Sequence, residues 1–210
     1  MIKKILGSSF FLINIFCLNG MQKNEIFPSH PLLTNNGVGR IKSINYDNDS
    51  TTLFMFSTEE TAYQWNIKND TLSKIEKKNI QPFEKKSVED FEEIKSKYFE
   101  KYTVSNFYVL NPSKTRFALC LTEKISSDKT LCIFNMQTKT IEKIYKYFDM
   151  NIVDFAWQAD DILYLVQEKN IDFCSCIKCI LTINKLITLN VETRHEEQLY
   201  MYMRIAEEKK

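Results

Sequence analysis

The sequence predicts an all-β chain in which three four-stranded meanders follow one another, with a single amphipathic helix inserted between the first and the second. Three observations carry this reading. First, three windows align without gaps over 11 residues: Trp65 to Ile75, Phe134 to Ile144 and Leu189 to Leu199. Each reads apolar, Asn, apolar, then a polar turn, then a strand ending on Ile or Leu, the shared asparagines being Asn66, Asn135 and Asn190. Second, a matching pair of apolar runs precedes each window. Ile44-Asn45-Tyr46 comes before Leu53 to Phe56, Phe107-Tyr108-Val109 before Phe117 to Leu121, and Phe155-Ala156-Trp157 before Ile162 to Val166. Third, turn formers separate the members of each pair: Asp47-Asn48-Asp49-Ser50, Asn111-Pro112-Ser113-Lys114 and Ala159-Asp160-Asp161.

Each unit is thus four short strands joined by tight turns, over about 40–77, 104–147 and 151–201. Aromatic, apolar and β-branched residues fill the strand positions, as a pleated half-buried surface requires. A meander of about 40 residues is a propeller blade, and three of them make an incomplete or partial β-propeller within a domain spanning 40–210. Closed rings have about 4–8 blades. The first strand, 40–46, and the last, near Glu197 to Met201, are therefore expected to lack closing neighbours. The segment Asn24 to Asn36, the inserted helix or a second copy of the chain would cover the open faces, so a homodimer is among the expected states.

At these residues the chain resembles the WD40-like and TolB-type propellers. Asn111-Pro112-Ser113-Lys114-Thr115-Arg116-Phe117-Ala118-Leu119 is similar to the "SPDGKRIAF" turn of TolB-type blades, and Trp65-Asn66 stands where a WD40 blade ends its third strand with Trp-Asp. Asp follows the aromatic in none of the units, no unit opens with Gly-His, and the turn glycine is missing. The resemblance implies the fold and carries no functional residue across.

The insert covers about 87–102. Ser87 and Asp90 fit the S-x-x-[DE] capping pattern, and Val88, Phe91, Ile94, Tyr98 and Tyr102 recur at helical steps, giving one apolar face. That face either packs across the meander or docks a partner. Glu76 to Pro82 reads as a connector, with Pro82 ending any strand.

The first twenty residues predict export. Lys3 and Lys4 precede the apolar run Ile5 to Phe16, and the small Gly20 follows, the three parts of a signal peptide. The run is too short to span a bilayer, which takes about 20 apolar residues. Loss of residues 1–20 changes the formal charge from +1 to −1, because two lysines and no acids leave with them. A secreted or periplasmic protein is expected, with no membrane span after signal removal and no basic footprint for nucleic acid. Residues 21–39 form a polar N-terminal segment ahead of the repeats.

Six cysteines raise the question of thiol chemistry. Cys174, Cys176 and Cys179 lie in an interruption between the second and third strands of the last unit. In an oxidising compartment they predict a disulfide that staples the loop. A soft-metal site is the alternative, although nothing nearby completes four ligands, and Cys176 to Cys179 is also a C-x-x-C of redox type. Cys120 and Cys132 lie on consecutive strands of the middle unit, so a hairpin turning near Ser126 would set them opposite each other for a cross-strand disulfide; two free core thiols are the alternative.

Composition excludes more chemistry than it suggests. The chain has 4 Gly, where average usage would give roughly 15. Neither G-x-G-x-x-G nor G-x-x-x-x-G-K-[ST] can be written, so Rossmann and P-loop phosphate binding are excluded. Its two histidines, His30 and His195, are far apart, and His195 reads as a solvated turn residue beside Glu196 and Glu197. Asp160-Asp161 occupies a turn position where Asp is expected in any case. Asn48-Asp49-Ser50 and Asn69-Asp70-Thr71 match the glycosylation acceptor pattern. No catalytic, cofactor or metal residue is assigned. The expected function is that of an exported non-enzymatic module for protein–protein interaction, with a thiol redox or metal-binding protein using Cys174, Cys176 and Cys179, or a truncated propeller without activity, as the alternatives.

Overall fold

A computed structural model describes residues 30–47, 51–57, 61–76, 91–124, 129–147, 149–174 and 179–207. Among them, three four-stranded antiparallel sheets account for the fold. The first holds β1 (Ile41–Asp47), β2 (Thr52–Ser57), β3 (Thr61–Asn66) and β4 (Thr71–Glu76). The second holds β5 (Tyr102–Leu110), β6 (Arg116–Glu123), β7 (Lys129–Asn135) and β8 (Thr140–Lys146). The third holds β9 (Asn151–Trp157), β10 (Ile162–Cys174), β11 (Cys179–Asn190) and β12 (Glu196–Glu207). Strands within each sheet neighbour in sequence order, so each is a meander, and the all-β partial propeller predicted from the sequence is the architecture found.

The repeat extends to individual hydrogen bonds. Asn66 accepts from the amide of Asn69 (2.9 Å), Asn135 from those of Gln137 and Thr138 (2.8 and 2.9 Å), and Asn190 from those of Glu192 and Thr193 (3.0 and 2.9 Å). The shared asparagine is therefore an Asx-turn residue that folds the polar turn onto itself. The residue after it donates back to the turn before the second strand: Ile67 to Thr51 (3.1 Å), Met136 to Thr115 (2.8 Å) and Val191 to Asp161 (2.7 Å). Four residues beyond each asparagine the chain enters the left-handed region, at Asp70 (φ 50°), Lys139 (φ 53°) and Arg194 (φ 60°). Thr51 (φ 56°) and Lys114 (φ 59°) do the same in the preceding turns. The absent turn glycines are thus replaced by residues that carry a Cβ in a conformation it disfavours.

The blades do not stack in chain order. One face of the third blade, with Ala156, Tyr164, Val166 and Leu186, packs against the first blade's Ile41, Ile44, Leu53 and Met55. Its other face, with Phe155, Leu163, Leu165 and Leu189, packs against Ala118, Cys120, Leu131 and Ile133 of the second. The first and last strand regions, expected to be open, therefore lie in neighbouring blades. Polar ties reinforce the seam: the Ile44 amide donates to the Asp154 carboxylate at 2.8 Å, and Arg40 reaches both oxygens of Glu168 at 2.6 Å. A short helix, α1 (Pro31–Asn35), brings Leu33 into the same core, where it and Val38 are shielded from solvent. Just ahead of it the His30 amide donates to the Leu199 carbonyl on β12.

The inserted helix, α2 (Phe91–Tyr98), lays Phe91 and Ile94 on the free face of the second blade, over Phe117, Leu119 and Phe134. It is shorter than the 87–102 of the sequence reading. Residues 87–90, with their capping pattern, lie outside the described residues. At the other end Phe99, 1% exposed, turns into the core, and Tyr102 pairs with Glu123 in the sheet. The helical spacing of Tyr102 was a coincidence of two adjoining elements. The third blade is also longer than expected: β10, β11 and β12 remain paired out to Cys174, Cys179 and Glu207. The signal-peptide segment 1–20 lies outside the described residues. Among those described, no helix is long and apolar enough to cross a membrane.

Candidate functional site

A cleft of about 360 Å³ opens between the first and third blades. Its first-blade wall is Trp65 at the end of β3, with Ile67 and Asp70 in the turn that follows. The third-blade wall carries Ile162 and Tyr164 on β10, Thr188 on β11, and Glu197 and Leu199 on β12, with Gln158 in the turn below. His30, held at the N-terminus of α1, closes one side. The cleft is open to solvent, and its volume is at the low end of the range of ligand clefts.

The repeat geometry positions the polar groups. Because Asn66 folds the turn, Asp70 comes back over β3 and accepts a hydrogen bond from the Trp65 indole at 3.1 Å. The same carboxylate oxygen lies 3.4 Å from His30 Nε2, and the imidazole rests on the indole with ring centroids 4.9 Å apart. His30 Nδ1 is buried without a partner, while Nε2 faces Asp70. Trp65 and Tyr164 are 4% and 2% exposed and form the cleft's buried part, whereas Asp70 and Glu197 are exposed at its rim. Burial pushes the Tyr164 phenol well above its usual range, and nearby Tyr46 and Glu197 add to the rise. The lining therefore holds two carboxylates and neither lysine nor arginine.

The residues singled out from the sequence fall elsewhere. Cys174 and Cys179 are register partners at the last paired position of β10 and β11; Cys176, between them, lies outside the described residues. The proposed Cys120–Cys132 bridge is overturned: both are free thiols. The register sets Cys120 opposite Leu131 and Cys132 opposite Leu119, one residue out of step, so the sulfurs point to opposite faces of the sheet. Cys120 packs toward the third blade and Cys132 under α2. Desolvation raises both thiols, Cys132 to about 12. Asp160 and Asp161 serve as turn acceptors, Asp160 for Asn111 and the Ser113 amide at 2.9 Å and Asp161 for Asn190 at 3.1 Å. His195 is exposed, its amide 3.3 Å from Thr193 Oγ1. Among the described residues no cluster of His, Cys, Asp and Glu could hold a metal ion.

Reading the sequence alone missed the cleft. Trp65 and Asp70 stood inside the first aligned window, but their partners His30, Tyr164 and Glu197 come from distant segments. The one local sign was Asp70 at a turn position that ordinarily takes glycine.

Fold and repeat together define an all-β repeat protein, a partial propeller of three four-stranded blades. No protein-family model matches the chain, and no curated protein matches it. Among solved structures it is similar to the β-propeller domain of the Trilobed protease from Pyrococcus furiosus, with 11% identity and a TM-score of 0.31 over 79% of this chain and 42% of that one. It is also similar to an acylaminoacyl peptidase (10% identity, TM-score 0.36, 77% of this chain and 27% of that one). A third similar structure is the WD40 domain of SCAP from fission yeast (13% identity, TM-score 0.25, 84% of this chain and 33% of that one). The chain spans less than half the length of each of these three.

Proposed function

We propose that the protein is an exported, non-enzymatic interaction module that receives a protein partner at the cleft between its first and third blades. The observation that carries this reading is the cleft itself, in which half-buried Ile67 and Leu199 lie beside exposed Asp70 and Glu197 over the buried Trp65 and Tyr164. A mixed apolar and charged surface of this kind suits recognition of a partner. The one His–Asp contact there, between His30 and Asp70, is joined by no Ser, Cys or Lys side chain in the lining. Export is supported by Lys3, Lys4 and the apolar run to Phe16.

A photo-crosslinking residue at Lys68, on the exposed turn beside the cleft, tests the reading. A discrete protein adduct is expected from the envelope or secreted fraction, and N-terminal sequencing of that material should begin near Met21. Absence of any adduct, from protein that is folded and recovered in full, would refute the interaction module.

A further inference from the structure

We propose that the outer edge of β12 is a strand-addition site, and that its occupant is the segment 21–29 of the same chain, which precedes His30 and lies outside the described residues. The proposal needs nothing from the partner reading of the cleft.

Each sheet ends on an outer strand: β4, β8 and β12. The first two are short, at six and seven residues, and charged, with Lys74 and Glu76 on β4 and Glu142, Lys143 and Lys146 on β8. Such edges discourage further pairing. β12 differs on both counts. It runs for 12 residues, and from Met201 to Ala206 it reads Met-Tyr-Met-Arg-Ile-Ala, in which Arg204 is the sole charge. Met203 and Ile205 are 38% and 44% exposed. They pair with Ile183 and Leu181 on β11, and Leu181 with Ile171 on β10, so an aliphatic face continues across three strands. Arg204, on the other face, is exposed and has no carboxylate partner among the described residues. A long, apolar and weakly guarded edge is a template for another strand.

The anchor, the length and the side chains name the occupant. The His30 amide donates to the Leu199 carbonyl, so the chain already stands against this edge where residue 29 joins it. Toward the end of β12 lie eight residues, Tyr200 to Glu207, and toward its start only three, Glu196 to Gln198. Only the first direction, antiparallel to β12, offers the segment 21–29 a strand of its own length. With His30 opposite Leu199, that direction sets Phe27 opposite Tyr202, Ile26 opposite Met203 and Glu25 opposite Arg204. Ile26 then extends the aliphatic face, and Phe27 joins Tyr202, which packs on the core between the first and third blades. Glu25 supplies the carboxylate that Arg204 lacks. A slip of one residue would carry Glu25 onto the aliphatic face. The new outer strand also brings Lys23 and Pro28, residue types that stop a sheet from growing further. A second copy of β12 answers less well, since it brings another Arg204 and no acid between Met201 and Ala206.

The test places the photo-reactive p-benzoylphenylalanine at position 27 of the full chain. An adduct within one chain, mapped to Tyr202 or Met203, is expected. Adducts that join two chains, that capture another protein, or that fall elsewhere in the chain would overturn the proposal. Hydrogen exchange of the amides from Tyr202 to Glu207 supplies a second readout, with those of β7, remote from this edge, as the control for folding. Glu25→Arg sets two cations opposite each other and should speed exchange at the outward-facing amides by about tenfold, and adding Arg204→Glu should restore the wild-type rate. Exchange unchanged by Glu25→Arg, or not restored in the double variant, would overturn the assigned register and the proposal with it.

Discussion

Asn184, in the middle of β11, and Ile41, at the start of β1, exchange two hydrogen bonds. The Ile41 amide donates to Asn184 Oδ1 at 2.9 Å, and Asn184 Nδ2 donates to the Ile41 carbonyl at 3.0 Å. The side-chain amide thus acts as a one-residue strand partner for an edge strand, across the seam between two blades. Asn184 is fully buried, so water does not compete. Replacing it with Ala strands one donor and one acceptor of Ile41, at about 1–3 kcal/mol each. Asn184→Ala is expected to lose about 2–4 kcal/mol in urea unfolding, and a loss below 0.5 kcal/mol would show that the seam is held by its apolar residues alone.

The left-handed turn residues give a prediction of opposite sign. Lys114 and Lys139 are exposed and sit at φ 59° and 53°. Glycine relieves a strain of about 1 kcal/mol at such a position. Lys139→Gly and Lys114→Gly should each raise Tm by roughly 2–4 °C in a chain of this size. Lys143→Gly, inside β8, should lower it, because there glycine weakens a strand and removes the Lys143 contacts with Glu192 and the Val191 carbonyl. Calorimetry on the three variants is sufficient.

Alkaline pH should destabilise the fold. Burial holds the Cys132 thiol at about 12, above its ordinary value of 9.0. The folded state therefore keeps a proton that the unfolded chain releases. Stability is fully present below pH 9 and falls as pH rises toward 12. Tyr200, raised to about 12 by burial, adds to the same slope. Cys132→Ala should flatten the decline of stability between pH 9 and 12 without shifting the plateau's shape below it, and an unchanged slope would contradict the assignment.

At the tip of the long hairpin, Cys174 and Cys179 are directly opposed in register. Opposed positions of an antiparallel pair have the Cα spacing a disulfide needs. Air-oxidised protein should therefore yield a Cys174–Cys179 crosslink on peptide mapping, with Cys176 left to react with an alkylating agent. A Cys176–Cys179 crosslink as the main product would refute it.

The repeat was legible because it is local. Asn66, Asn135 and Asn190 mark equivalent turns within windows of contiguous residues, and in each the asparagine accepts from the amide three residues on. What escaped is what depends on distance or on parity. Cys120 and Cys132 lay on the right two strands, but a one-residue difference in register separates a bridged pair from thiols on opposite faces. Tyr102 continued a helical spacing while belonging to a strand. The order of the blades has no local signature, since no residue of β1 or β9 says which neighbour it meets. The cleft depends on that order, which is why His30, Asp70 and Glu197 did not suggest one another.

That the first blade rests on the third sets a schedule for biosynthesis. A partner amide such as Asn184 is 143 residues downstream of the Ile41 it pairs with. At translation rates of about 5–20 residues per second, the opening blade waits on the order of 10 seconds before its counterpart leaves the ribosome. Through that interval Leu53, Met55 and Trp65 have no permanent cover, which makes the nascent chain a client for holdases and couples its yield to elongation speed.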